Sequence, residues 1–238
     1  ARQNIAALDR STGLATPWVS SASNYVNGLL LHGPLLYVHG PFTQLGGQTR
    51  YEVGALDTLS GALASWAPNA APATAVNGFA PGGSASLFLA GTFENMGGQP
   101  RKGIAEVEAT SGSATTWDQP LALSYLSAVA ARSTSLFIAG DFFQLDGQPH
   151  RSLAALDRTT GILSPWDPDV DSPIYTLHLH DTLLFAGGAF KRAGTNGRQG
   201  LAVYGLCAEH TYYEDSDGDG HGSPLTNTVA CGPMPTGY

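Results

Sequence analysis

The feature that most constrains this chain is a phrase that returns four times, each time ending in tryptophan. Residues Ile5–Trp18 recur as Val53–Trp66, Ile104–Trp117 and Leu153–Trp166. In every copy an acidic residue stands four places before a glycine, and the tryptophan five places after it. The sets are Asp9/Gly13/Trp18, Asp57/Gly61/Trp66, Glu108/Gly112/Trp117 and Asp157/Gly161/Trp166, and the Trp-to-Trp intervals are 48, 51 and 49. These are all four tryptophans of a 238-residue chain, so the period belongs to the fold and not to composition.

A second block follows each of these phrases: Leu36–Phe42, Leu87–Phe93, Leu136–Phe142 and Leu184–Phe190, each with a Gly before its closing Phe. A glycine-rich turn comes next, at Leu45–Gln48, Met96–Gln99 and Leu145–Gln148; the fourth copy departs, with Ala193–Asn196. One unit thus offers four short strands, Val26–Leu31, Leu36–His39, Val53–Asp57 and Ala62–Trp66, rich in β-branched and aromatic residues between turn signals. No long 3.6-residue period occurs, so helices are not expected. Four strands in about 49 residues is the arithmetic of a propeller blade, and the expected fold class is an all-β propeller with four repeats visible. One such sheet cannot bury both faces alone, so the units must stack. In the repeated phrase, Asp can bond backbone N–H groups two residues on, Gly supplies positive φ, and Trp is large enough to fill the space between units.

These residues resemble known families. The Ala-x-Asp-x-x-Thr-Gly…Trp phrase is similar to the tryptophan-docking motif of quinoprotein propellers. The whole unit, with Gly-x-Phe…Gly-Gly-Gln-x-Arg, looks more like the delta-sixty propeller repeats of secreted bacterial proteins, over residues 1 to about 205. The resemblance implies architecture and leaves function open. The final strand Leu201–Tyr204 repeats the role of Ile5–Leu8. Either one strand is spare in a four-blade ring, or the chain is a section of a larger propeller.

Composition changes after Gly205, dividing the chain into repeats (1–205) and a short acidic tail (206–238). The tail carries Asp215, Asp217 and Asp219 at alternate positions, then Gly220 and His221. Hard oxygen ligands so spaced suit Ca²⁺, with Asp215, Asp217 and Asp219 giving carboxylates and His221 its backbone carbonyl. The twelfth position from Asp215 is Thr226 rather than Glu, so this is not a standard EF-hand loop. The segment resembles thrombospondin type 3 repeats and, more closely, the MopE-like metal-binding motif of bacterial surface proteins. Tyr212, Tyr213, Asp215, Asp217, Asp219, Cys231, Pro235, Gly237 and Tyr238 match that motif, while its usual Asp-Cys-Asp-Asp stretch is absent. The only cysteines, Cys207 and Cys231, bracket the acidic run. They read as a disulfide staple in an oxidising compartment, with two free thiols as the alternative.

Other candidates are weaker. His178 and His180 share one face of a strand and could hold a transition metal, or simply form a half-exposed face. His32 and His39 are expected at the surface. Arg2, Arg50, Arg101 and Arg198, with His150 and Arg151 in the third copy, could line an anion site or serve blade-edge hydrogen bonds. Asp9, Asp57, Glu108 and Asp157 read as turn residues rather than catalytic acids. The net charge of −8 argues against nucleic acid, and no apolar run reaches membrane-spanning length. The expectation is a non-enzymatic binding or scaffold protein, extracellular or at a cell surface, with Ca²⁺ as its cofactor and a protein or glycan partner on the propeller face. Further domains of the same polypeptide are expected. The alternatives are a lectin, or a propeller enzyme of the quinoprotein dehydrogenase or glycan hydrolase kind.

Overall fold

The computed structural model describes residues 3–68, 75–119, 125–194, 196–197 and 199–206, together with the strand backbones 209–213 and 227–231. Every regular element among them is a β-strand. The first unit contains β1 (Gly28–His32), β2 (Leu35–His39), the two-residue strands β3 (Gln44–Leu45) and β4 (Gln48–Thr49), and β5 (Val53–Asp57). The second has β6 (Ala75–Pro81), β7 (Ser86–Thr92), β8 (Asn95–Met96), β9 (Gln99–Pro100) and β10 (Ile104–Glu108). The third has β11 (Leu126–Ala131), β12 (Ser135–Gly140), β13 (Gln144–Leu145), β14 (Gln148–Pro149) and β15 (Leu153–Asp157). The fourth has β16 (Ile174–His180), β17 (Leu183–Gly188), β18 (Arg192–Ala193), β19 (Asn196–Gly197) and β20 (Leu201–Gly205). Beyond them, β21 (Glu209–Tyr213) pairs with β22 (Asn227–Cys231).

In each unit the three long strands form one antiparallel sheet: β1-β2-β5, β6-β7-β10, β11-β12-β15 and β16-β17-β20. The expected fourth strand is not formed as a strand. At Ala62–Trp66 only the bridge Leu56↔Leu63 remains, carried by Asp57 N–H to Ala62 O (2.8 Å) and Ala64 N–H to Ala55 O (2.8 Å). The chain then swings away to seat Trp66, which ends the ladder. The short hairpin β3–β4 turns on Gly46 and Gly47 at φ +57° and +77°, the double positive φ that a type I′ turn requires.

Successive sheets stack face to face, and the apolar cores lie between units. Tyr37, Val53, Ala55 and Trp66 of the first unit meet Val76, Leu87, Leu89 and Val107 of the second. Phe88 and Ile104 of the second meet Val129, Ile138 and Leu156 of the third, whose Phe137 and Leu153 meet Leu184 and Ala186 of the fourth. Residues 3–22 supply only the third-strand, turn and tryptophan portion of a unit. Its Trp18, Ile5 and Ala7 pack on Val38 and Leu56 of the first unit. The strands β1, β6, β11 and β16 run side by side as the inner strands, all four contributing to one axial cavity. The architecture is therefore an all-β, propeller-like array of blade-like units.

Candidate functional site

The repeated polar residues are consumed in joining turns to units. Asp9 Oδ1 accepts from the backbone N–H and hydroxyl of Ser11 (3.1 and 2.7 Å) and of Thr12 (2.8 Å each). The Ser11 hydroxyl, then that of Thr12, hold the Asp9 carboxyl down to about 2. Asp57 is lowered in the same way by the Ser60 hydroxyl, and Asp157 by the Thr160 backbone N–H. Glu108 accepts from the Ser111 hydroxyl at 2.6 Å. Three of these turns also receive the tryptophan of the preceding unit. Trp18 Nε1 donates to Asp57 O (3.1 Å), Trp66 to Glu108 O (3.0 Å) and Trp117 to Arg158 O (3.0 Å), one residue past the equivalent position. Trp18 and Trp66 are buried; Trp117 and Trp166 are half-buried. Trp166 packs edge-on against Phe137 and Tyr204, with centroids 5.6 and 5.5 Å away.

Two members of the basic repeat, Arg50 and Arg101, make blade-edge hydrogen bonds. Arg101 is buried and donates to Pro100 O (2.8 Å) and Thr115 O (2.9 Å), with Asp118 3.5 Å away. Arg50 donates to Thr49 O (3.0 Å), His150 is buried, and Arg151 stacks 5.9 Å over the Phe143 ring. Arg2 and Arg198 lie outside the described residues. His178 and His180 do share an exposed face of β16, and among the described residues no group of three metal-ligating side chains forms.

His39 corrects the expectation of a surface residue: it is 5% exposed. It lies at the inner end of β2, where the other units place Ala90, Ala139 and Gly187, and its ring fills the space in front of Gly28. The ring stands edge-on to Phe79 at 5.0 Å and bonds the Val76 backbone, while Nδ1 has no hydrogen-bond partner among the described residues. Burial pushes its pKa down to about 4, against the smaller opposing effect of the Val76 bond. His39 lines the axial cavity of about 310 Å³ with Asn27, Asn77, Ser127 and Tyr175. Asn77 donates to Leu126 O (2.8 Å), and Ser127 to Ala139 O (3.1 Å) and Ile174 O, so these side chains staple neighbouring inner strands.

Sequence reasoning missed a groove of about 710 Å³ between the second and third units, lined by Glu106, Trp117, Asp118, Arg158 and Thr160. Its signal was a break in the repeat, since Glu106 stands where other units have Ala55 and Ala155. Glu106 accepts from the Ser86 hydroxyl (2.6 Å) and the Thr115 hydroxyl (2.8 Å).

The proposed calcium ligands Asp215, Asp217, Asp219 and His221 lie outside the described residues, as does Cys207. The backbone ladder on either side is described: β21 and β22 pair from Glu209↔Cys231 to Tyr213↔Asn227. The acidic run therefore belongs to the connection across a closed antiparallel pair.

No protein-family model and no curated protein matches this chain. Among solved structures, the computationally designed Ika4 protein aligns over 77% of this chain and 92% of its own, at 13% identity and a TM-score of 0.47. BamB from Moraxella catarrhalis aligns over 86% and 71%, at 17% identity and a TM-score of 0.45. The architecture rests on the strand pairing and the stacking of units, to which likenesses this loose add nothing.

Proposed function

We propose that this chain is a secreted or cell-surface binding and scaffold protein, without catalytic activity, whose acidic tail holds one structural Ca²⁺. The reading extends the resemblance to delta-sixty-type repeats with a MopE-like tail. The observation that carries it is the use made of the repeated carboxylates. Asp9, Asp57, Glu108 and Asp157 are each tied to hydroxyls or N–H groups of their own turn, so the residues best suited to acid–base work serve structure. For the tail, the β21–β22 ladder supports the calcium reading, because it brings the ends of residues 214–226 to adjacent strands. That closure lowers the entropy of gathering three carboxylates around one ion. The Cys207–Cys231 disulfide is part of the same reading. Isothermal calorimetry tests the site. Ca²⁺ should bind the wild-type chain with measurable heat, and Asp217→Asn should weaken binding at least tenfold. No heat in the wild type, or equal affinity in the variant, removes the calcium site.

A carbohydrate-binding reading is favoured by the groove between the second and third units. There the indole of Trp117 lies beside Glu106, Asp118, Arg158 and Thr160, a mixture of aromatic and polar groups suited to a sugar ring. A glycan array with wild type and Trp117→Ala separates the readings: glycan binding lost in the variant supports the lectin.

A further inference from the structure

We propose that the groove between residues 146–150 and 163–167 of the third unit binds a guanidinium group, presented to it as an arginine side chain. The chain carries its own template for such a site. In the second unit Arg101 donates to Pro100 O (2.8 Å) and Thr115 O (2.9 Å), and its guanidinium lies 3.5 Å from Asp118. The third unit keeps each of these partners and replaces the arginine itself. Pro149, Ser164 and Asp167 are the equivalents of Pro100, Thr115 and Asp118, and His150 stands in the arginine's place. The backbone frame is the same in both units. Pro149 pairs with Gln144 as Pro100 pairs with Asn95. Ser164 N–H bonds Ala155 O (2.8 Å) as Thr115 N–H bonds Glu106 O (2.9 Å).

An imidazole is shorter than an arginine side chain and does not reproduce its fork of donors. A groove of about 790 Å³ opens at this place, lined among others by Asp146, Pro149, His150, Leu163, Ser164 and Asp167. His150 is 5% exposed, and its buried Nδ1 has no hydrogen-bond partner among the described residues. A buried nitrogen in that state costs stability, and an N–H brought by a ligand removes the cost. Charge points the same way. Asp146 adds a carboxylate where the other units have Gly46, Gly97 and Gly194, and it takes φ +47° to do so. Asp167 Oδ1 accepts from the Asp169 N–H (2.9 Å), which holds that carboxylate in position. No lysine or arginine lines the groove, and among the described residues no cation pairs with Asp146 or Asp167. Carboxylates and backbone carbonyls only accept, and a guanidinium only donates. The half-buried Leu163 and the ring of Pro149 lie beside these acceptors and suit the methylene stem of arginine. The inference depends neither on the calcium tail nor on the Trp117 groove.

Backbone-amide NMR shifts of the full chain, titrated with N-acetyl-arginine amide, test it. The shifts should saturate and concentrate at residues 146–150 and 163–167. The same titration with free arginine identifies the source of the group. A weaker response assigns an arginine within a peptide, and a response of equal strength shows that the free amino acid suffices. N-acetyl-lysine amide, a point charge without the fork, should bind clearly more weakly. His150→Arg should abolish the response, because the chain's own guanidinium then takes the place, as Arg101 does in the second unit. Asp167→Asn should weaken binding about tenfold, the loss of one charge-assisted pair. Asp146→Gly, which restores the residue of the other units, should weaken it in the same direction. Each variant must keep the wild-type spectrum away from the groove. No saturable response, lysine binding as tightly as arginine, or affinity unchanged in His150→Arg, Asp167→Asn or Asp146→Gly would each overturn the proposal.

Discussion

His39 sits where the second and third units have alanine, and its environment makes it a pH-dependent weak point. In the unfolded chain an imidazole takes up its proton near pH 6.5; in the folded chain burial holds that uptake down to about 4. The neutral ring is therefore the form the fold favours. Stability from this residue is fully present above pH 6.5 and is lost as pH falls toward 4, by about 3 kcal/mol in total. Urea unfolding at pH 7 and pH 4.5 should show the loss, and His39→Ala should flatten the slope over that interval. An unchanged slope in the variant would assign the effect elsewhere. The buried state of His39 was legible in principle. The block Leu36-Tyr-Val-His39 aligns with Leu87-Phe-Leu-Ala90, and strand alternation places the fourth residue in the interior. A similar signal marks the residue before each third strand. Asn4, Glu52 and Ser152 take φ of +63°, +63° and +61° where other units use Gly103 and Gly200. Reading the glycines alone hid that shared backbone need.

At the scale of elements, the repeat was readable because one turn chemistry recurs with one docking contact. The acidic residue fixes the turn, the glycine takes positive φ, and the tryptophan of one unit caps the turn of the next. The fourth strand was not readable. Ala62–Trp66 has strand-like residues, but the pull of the tryptophan toward its neighbour outweighs further pairing after a single bridge, a tertiary override of local propensity. The slip of Trp117 from the acidic residue's carbonyl to Arg158 O was likewise invisible, since the phrase Leu153–Trp166 keeps its spacing. The turn makes a paired prediction. Gly13 and Gly61 share φ near +70° to +77°, so alanine at either meets the same left-handed strain of about 1–2 kcal/mol. Only at Gly61 does the added carbon also strike backbone of the preceding unit. Gly61→Ala should therefore lower the melting temperature clearly more than Gly13→Ala. Equal losses would mean that the close approach at this junction carries no cost.

Over the whole molecule, stability should follow position in the array. Each unit buries little within itself; its apolar side chains meet those of the units before and after. In such a stack the free energy is close to a sum of unit terms and nearest-neighbour terms, so a unit with two neighbours resists opening more than one with a single neighbour. The second and third units have packed sheets on both sides. The first has only residues 3–22 on one side, and the fourth leaves Leu201 and Val203 open to solvent. Amide hydrogen exchange in dilute solution should therefore find the slowest exchange in β7, β10, β12 and β15. Exchange should be faster in β17 and β20 and fastest in residues 3–22, where isolated bridges and turn bonds stand in place of a strand ladder. The pattern separates stacking from local strand strength, because β17 pairs with β16 and β20 as fully as β12 pairs with β11 and β15. Equal protection of β12 and β17 would show that in-sheet hydrogen bonding governs opening and that the junctions are secondary.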